Sequence, residues 1–288
     1  MTSGAAPTVA AVLEEATRRL RDAHVPDPHR EATALVALAL RTDRGGVFAR
    51  NPDPIGPAEA ARVERLIASR VLRVPLQHLE GHAEFRGLEF EVNADVLIPR
   101  PETEDLVQLV LDAGLPGSAR IADLGTGSGC IAVALAVERP SWRVSAIDLS
   151  TAALRVAARN AARHGAAERV TAIARDFAVV PDAERGVYDA VVSNPPYVPE
   201  DEWRGLQPEV RDHEPKLALV PGPTGNEAYA AVAEAASSML RPGGLLALEL
   251  GWKSESAVRA IVAGAGFQEI EVRPDLQGIP RVLTARTR

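Results

Sequence analysis

From about residue 119 onward the chain alternates short apolar runs with helix-length segments, and this alternation constrains the fold more than any other feature. Candidate strands at 120–124, 143–147, 170–173, 187–193 and 245–250 are separated by stretches long enough for crossover helices. That pattern predicts a mostly parallel, doubly wound α/β sheet. Two more extended runs, around 267–272 and 281–284, have only Gly278-Ile279-Pro280 and a few neighbours between them. With no room for a crossover helix, they predict a C-terminal antiparallel hairpin.

The part of the chain ahead of this sheet reads differently. Thr8 can cap a helix whose apolar positions Val9, Val12, Leu13, Ala16 and Leu20 recur at helical spacing. Asp27-Pro28 reads as cap and first turn of a second helix through Leu40, and Pro57 opens a third carrying Val63, Leu66, Ile67 and Val71. Residues 1–75 therefore form a candidate helical module. After Gln77 the period changes to two: Phe85, an Arg86-Gly87 turn, then Leu88, Phe90 and Val92 predict a β-hairpin, and residues 76–98 read as a hairpin linker. Residues 99–288 make up the sheet domain. It begins with a loop, Ile98 to Asp105, crowded with prolines and acids, that feeds a helix bearing Leu106, Val107, Val110 and Leu111.

Charge and cysteine content narrow the function. The 32 Lys+Arg and 39 Asp+Glu leave a net charge of −7, the wrong sign for a protein that coats nucleic acid. The excess acid lies wholly in residues 86–288, with 28 acids against 21 bases, since the preceding residues balance at 11 of each. The single cysteine, Cys130, excludes an intrachain disulfide and a multi-cysteine zinc site. His78 and His82 with Glu80 and Glu84 have a metal-like spacing, but Gly81 interrupts any helix that would bring them together, so no metal is expected. No apolar run approaches the ~18 residues of a membrane span. Residues 1–11 lack a basic stretch followed by an apolar one, so a cytoplasmic location is expected.

In open α/β sheets ligands bind beyond the carboxyl ends of the strands, and four consecutive strand ends here carry suitable residues. The first runs into Gly125-Thr126-Gly127-Ser128-Gly129, a turn too tight for side chains that starts a helix with free N–H groups. The second ends at Asp148, placed to hold ribose hydroxyls. The third leads to Asp176 and Phe177, a carboxylate for an exocyclic amine and a ring to cover a base. Together these residues predict a nucleoside-containing cofactor, either a nicotinamide dinucleotide or S-adenosylmethionine. The glycine spacing is G-x-G-x-G, with Cys130 where the dinucleotide fingerprint places its third glycine, which favours S-adenosylmethionine.

The fourth strand end, Ser193-Asn194-Pro195-Pro196-Tyr197, is the most informative. Two prolines fix φ, lack N–H groups and force extended backbone, so the carbonyls here are committed acceptors. The Asn194 side-chain oxygen and the Pro195 carbonyl can hold both hydrogens of a planar –NH2 group while Tyr197 packs on its flat face. Such a shelf suits methylation of an amide or aryl amine.

These motifs resemble those of the HemK/PrmC family of release-factor glutamine methyltransferases. The resemblance covers nearly all of residues 75–288, from Pro75 to Gly81, through Val96-Leu97-Ile98-Pro99-Arg100-Pro101-Glu102-Thr103-Glu104 and the glycine turn, to Glu209-Val210, Glu214-Pro215, Leu248-Glu249-Leu250-Gly251 and Asp275 with Gly278 and Arg281. It departs from the usual pattern at His78, where tyrosine is common, and at Thr224-Gly225-Asn226, where an Asp-Gly pair is usual.

The resemblance implies a class I methyltransferase fold, with Gly125 to Gly129, Asp148, Phe177 and Asn194 at the S-adenosylmethionine site, where the strand-end position already places Asp176. It implies that Asn194, Pro195, Pro196 and Tyr197 hold the substrate glutamine, with Asn194 and Pro195 acting on the reacting amide; from their position, Arg100, Glu102 and Glu104 either shape the substrate mouth or cap the helix that follows. The partner would be a class I peptide-chain release factor carrying a Gly-Gly-Gln loop, docked with help from the N-terminal module. Two alternatives use the same residues. A DNA adenine methyltransferase would need basic patches and a recognition insert, for which Val198 to Arg241 is short. A non-catalytic cofactor-binding scaffold would have no need of an intact Asn194 and Tyr197.

Overall fold

The computed structural model describes residues 6–275 and 277–288; Met1–Ala5, part of the N-terminal stretch read above for a leader, lie outside the described residues. Contacts divide the chain into two units, one running up to Gly81 and including Gln207–His213, the other holding His82–Leu206 and Glu214–Arg288.

The first unit is helical: α1 (Val9–Asp22), α2 (Pro28–Leu40), α3 (Arg44–Ala49), α4 (Pro57–Val71) and α5 (Leu76–Glu80), joined by α9 (Pro208–His213) from later in the chain. The Thr8 hydroxyl accepts from the Ala11 N–H at 3.2 Å, as its position predicts. Asp27 does not cap α2 with its side chain. It adopts left-handed backbone (φ 47°), away from the extended geometry a capping side chain needs, and Pro28 starts the helix. Sequence periodicity did not reveal α3, which has only six residues and is started by the Asp43 side chain accepting from Gly46 N–H at 2.7 Å. Leu20, Leu35 and Ile67 fill the core. At its edge Arg70 is buried between Glu31 and Glu209, and Glu209 also accepts from Arg73 at 2.7 Å. A guanidinium this buried requires such partners.

The second unit opens with the hairpin β1 (His82–Phe85) and β2 (Leu88–Glu91). Arg86 and Gly87 both have positive φ (51° and 71°), as a two-residue hairpin turn demands. The rest comprises β3 (Arg120–Leu124), β4 (Arg143–Asp148), β5 (Val170–Ala174), β6 (Tyr188–Ser193), β7 (Leu240–Glu249), β8 (Gln268–Pro274) and β9 (Pro280–Arg286). Its helices are α6 (Thr103–Asp112), α7 (Cys130–Glu138), α8 (Thr151–Arg163), α10 (Glu227–Met239) and α11 (Glu255–Gly264).

The seven strands lie in the order β5-β4-β3-β6-β7-β9-β8. The first five in that order are parallel, and β9 pairs antiparallel with both β7 and β8. This is the doubly wound sheet with a terminal hairpin that the alternation predicts. One apolar layer gathers Phe85 and Phe90 of the hairpin, α6 and α7; the other gathers α10 and α11. Every residue of β6 is buried, as expected of a central strand covered on both faces. After β3 the chain winds one way to β4 and β5, then returns to place β6 on the other side of β3. That reversal leaves a crevice beyond the carboxyl ends of β3 and β6.

Candidate active site

A cavity of about 380 Å3 opens at this crevice. Its walls include Gly125 and Gly127 after β3, Asp148 at the end of β4, Asp176 and Phe177 after β5, and Asn194 and Pro196 after β6. Residues from four strand ends, distant in sequence, thus share one space. Leu149 and Leu217 line it with more than half of their surface exposed, at 57% and 55%.

The glycine turn does two separate jobs. Gly125 and Gly127 have φ of 76° and 55°, and a Cβ on either would meet nothing within 4 Å, so their missing side chains leave open space. Gly129 (φ 80°) instead permits close packing, since a Cβ there would fall 2.9 Å from that of Ala157 on α8. Four N–H groups of the turn itself are already engaged. Gly125 and Thr126 donate to the Ile147 carbonyl, Gly127 to Asp148 Oδ2 at 2.9 Å and Gly129 to the Thr126 carbonyl. These donors are spent on the Ile147 carbonyl, on Asp148 and within the turn, so what residues 125–127 offer a ligand is open space. Thr126 and Ser128 are buried and outside the lining; the Thr126 hydroxyl donates to Asp123 Oδ2 at 2.6 Å.

Asp148 is held by accepting from Gly127 N–H and, at 2.8 Å, from Ser150 N–H. Asp123 is wholly buried beneath the turn. Burial pushes its carboxyl up to about 7, with the Thr126 hydroxyl pulling the other way and the Asp148 charge adding to the rise. Cys130 is buried and its thiol is pushed up to about 12 by burial, which removes it as a nucleophile near neutral pH.

The Ser193 hydroxyl donates to the Leu124 carbonyl at 2.6 Å, tying the end of β6 to that of β3. Asn194 follows, with its Nδ2 donating to Thr103 Oγ1 at 3.2 Å and its oxygen thereby turned away from Thr103. Tyr197 is not part of the lining; it is partly buried and packs against the apolar layer that holds α10 and α11. A Cβ on Gly251 would come 2.8 Å from the Tyr197 ring, and one on Gly225 (φ 78°) 2.6 Å from its carbonyl oxygen. The glycine in Thr224-Gly225-Asn226 is therefore the member of that variant triplet which the packing requires. Arg100 and Glu102 also lie outside the lining; Arg100 donates to buried Glu214 at 2.6 Å. Glu104, read with them as part of the mouth, accepts instead from Arg86 N–H at 2.8 Å and supports the hairpin turn.

Residues 11–81 match the PrmC N-terminal domain, and residues 103–205 the methyltransferase small domain. The release factor glutamine methyltransferase of Cereibacter sphaeroides is 44% identical over 275 residues, covering 95% of this chain and 96% of that one. Its counterpart in Moorella thermoacetica is 43% identical, covering 98% and 99%. The chain belongs to the release factor glutamine methyltransferase family. Solved structures add fold similarity alone. The hMettl16 catalytic domain gives a TM-score of 0.56 at 17% identity, covering 76% of this chain and 81% of that one. A Pyrococcus furiosus methyltransferase gives 0.51 at 19%, covering 76% and 96%.

S-adenosylmethionine is the cofactor of this family, and the cavity fits it. The volume lies within the range of small-molecule sites, roughly 300–1,000 Å3. Two glycines leave open space, and a ring and two carboxylates stand at adjoining strand ends.

The sequence reading overlooked two parts of the site. One is the wall formed by Pro215, Leu217, Ala218, Val220 and Pro221, a segment whose only regular structure is the 3₁₀ turn Lys216–Ala218, too short to leave a periodic pattern. The other is the buried pair behind Asn194: Thr103, at the start of α6, donates to Glu249 Oε2 at 2.6 Å. Both residues lie in quoted motifs, but spacing alone assigns them no contact.

Proposed function

We propose that the protein methylates the side-chain amide nitrogen of the glutamine in the Gly-Gly-Gln loop of class I peptide-chain release factors. The observation that carries this reading is Asn194: its nitrogen is engaged by Thr103, and it stands at the cavity next to two prolines that cannot donate. The shelf therefore offers acceptors, the complement of an amide –NH2.

When bound, S-adenosylmethionine supplies a methyl group on a positively charged sulfur. Gly125, Gly127, Asp148, Asp176, Phe177 and Asn194 would hold it, with the backbone of Thr126, Ser128 and Gly129 shaping the turn. Asn194 Oδ1 and the Pro195 carbonyl would each accept one hydrogen of the substrate amide and aim its nitrogen at the methyl carbon. An amide nitrogen is a poor nucleophile because its lone pair is delocalised into the carbonyl. Transfer of the methyl would form the N–C bond as the C–S bond breaks and neutral S-adenosylhomocysteine leaves; amide conjugation would be lost and positive charge would grow on the nitrogen, where the two acceptors would stabilise it. Orientation contributes up to ~7–11 kcal/mol. The methylated nitrogen, strongly acidic while it carries the extra proton, would then lose it to water, so the step calls for no metal or strong base.

Tyr197 and Pro196 would flank the glutamine, with Arg100 and Glu102 at its approach. The N-terminal helical unit, read in the sequence as residues 1–75 ahead of the 76–98 hairpin, would dock the release factor, with 99–288 performing the chemistry. Among the described residues no helix is long and apolar enough to cross a membrane, which accords with a cytoplasmic site of action beside the translation machinery. The net acidity of residues 86–288 argues against direct nucleic-acid binding.

Incubation with radiolabelled S-adenosylmethionine tests this reading on a release factor, on the same factor with its Gly-Gly-Gln glutamine changed to alanine, and on duplex DNA. Label on the intact factor alone is expected. Label on DNA, or equal label on the altered factor, refutes it.

A further inference from the structure

Asn194 touches the cavity with only half of its amide uncommitted, and the reason lies in two residues behind it. Nδ2 donates to Thr103 Oγ1 at 3.2 Å, and Thr103 donates to Glu249 Oε2 at 2.6 Å. The three come from the end of β6, the start of α6 and the end of β7, and Thr103 and Glu249 are buried. The Glu249 end is braced in turn: Tyr229 donates its hydroxyl to the Glu249 carbonyl at 3.0 Å and accepts from Gly251 N–H at 2.9 Å.

A hydroxyl has one proton, and an ionised carboxylate only accepts. With Glu249 ionised, the Thr103 proton faces Glu249, and a lone pair is all Thr103 has for Asn194. Only the Nδ2 end of the amide fits that lone pair, so Oδ1 is the end left for substrate. We propose that Thr103 and Glu249 are positioning residues that set the orientation of the Asn194 amide and so determine that the shelf accepts hydrogen bonds. This rests on the amide-methylation reading above.

A proton on Glu249 Oε2 reverses the chain. Glu249 then donates to Thr103, the Thr103 proton turns to Asn194, and the amide rotates to meet it with Oδ1. N–H groups now face a substrate that needs acceptors. Burial pushes the Glu249 carboxyl up to about 7; the Thr103 hydroxyl opposes the rise, nearby Glu102 adds to it, and Arg281 and Arg100 oppose it. Tyr197, Tyr229 and Cys130 also face Glu249 and stay neutral near pH 7, each raised by burial. The accepting orientation is therefore populated above about pH 7 and lost below it.

The test measures turnover on a class I release factor and cofactor affinity across about pH 6–8. It uses the unaltered protein, Thr103→Val, Thr103→Ser and Glu249→Gln, with Asn194→Ala as reference. Unaltered kcat should fall toward about tenfold per unit below pH 7 while the cofactor Kd stays flat. Thr103→Val should lose about tenfold or more in kcat with little change in Kd, and Thr103→Ser should recover most of that loss. Glu249→Gln can turn either its carbonyl oxygen or its –NH2 toward Thr103 but carries no titrating proton, so its kcat should lack the acid limb.

Full turnover in Thr103→Val, or an unchanged acid limb in Glu249→Gln, overturns the proposal. Should either variant fail to fold, a flat kcat profile in the unaltered protein, or loss in Thr103→Ser as deep as in Asn194→Ala, does the same. If only Asn194→Ala is impaired, the positioning role fails alone. If Asn194→Ala keeps full turnover, or the unaltered protein labels no factor, the underlying reading fails as well.

Discussion

The turns after β3 and β6 lie side by side at one crevice and are built on opposite principles. The β3 turn removes side chains and uses its own N–H groups internally, offering space. The β6 turn removes N–H groups and fixes its backbone with prolines, offering acceptors at set positions. The first is suited to binding by shape and the second to orienting a reacting group. Affinity and turnover should therefore be separable by mutation.

The largest effect should come from Asn194→Ala, which removes one acceptor: kcat should drop about 10^2–10^3-fold (~3–4 kcal/mol) with cofactor Kd changed only a few-fold. Calorimetric titration alongside single-turnover methyl transfer checks this. A collapse of affinity with intact turnover of the bound complex would break the contrast.

Gly125→Val should do the reverse. A side chain there pays left-handed strain of ~1–2 kcal/mol and occupies open space, so cofactor Kd should rise about tenfold or more while kcat at saturation is kept. Lost kcat at saturation would show that the turn also orients.

Gly129→Ala sharpens the distinction within the turn itself. Its Cβ would press on Ala157, so the expected cost is stability, ~1–3 kcal/mol, read as a lower Tm with affinity per folded molecule little altered.

A pH effect on stability, with no change of affinity or turnover to read, concerns Asp123. Its carboxyl is raised from 3.8 to about 7, so between those values the folded protein holds a proton that the unfolded chain has released. Stability from this group is full below about pH 4 and declines as pH rises toward 7. Asp123→Asn should flatten, without abolishing, the fall in urea-unfolding free energy from about pH 5 to 7, because Glu249 titrates in the same sense. An unchanged slope would show that Asp123 does not titrate in this window.

Much of the fold was legible because it is written in local patterns. Apolar runs gave every strand of the main sheet, and Arg86-Gly87 gave the hairpin. The short α3 was missed because six residues barely complete a helical period. At Asp27 residue type alone suggested a side-chain cap that the left-handed backbone prevents. In the site, the position of Asn194 at a strand end was visible, whereas the orientation of its amide was not.

The sequence by itself determined which residues stand at strand ends and which turns lack side chains or donors, since φ preferences and hydrophobic period act over a few residues. Tertiary structure alone decided that Thr103 meets Glu249, 146 positions away, and that residues 215–221 wall the cavity. Contacts between distant side chains leave no periodic trace, because they depend on how strands order in the sheet rather than on any neighbour in the chain.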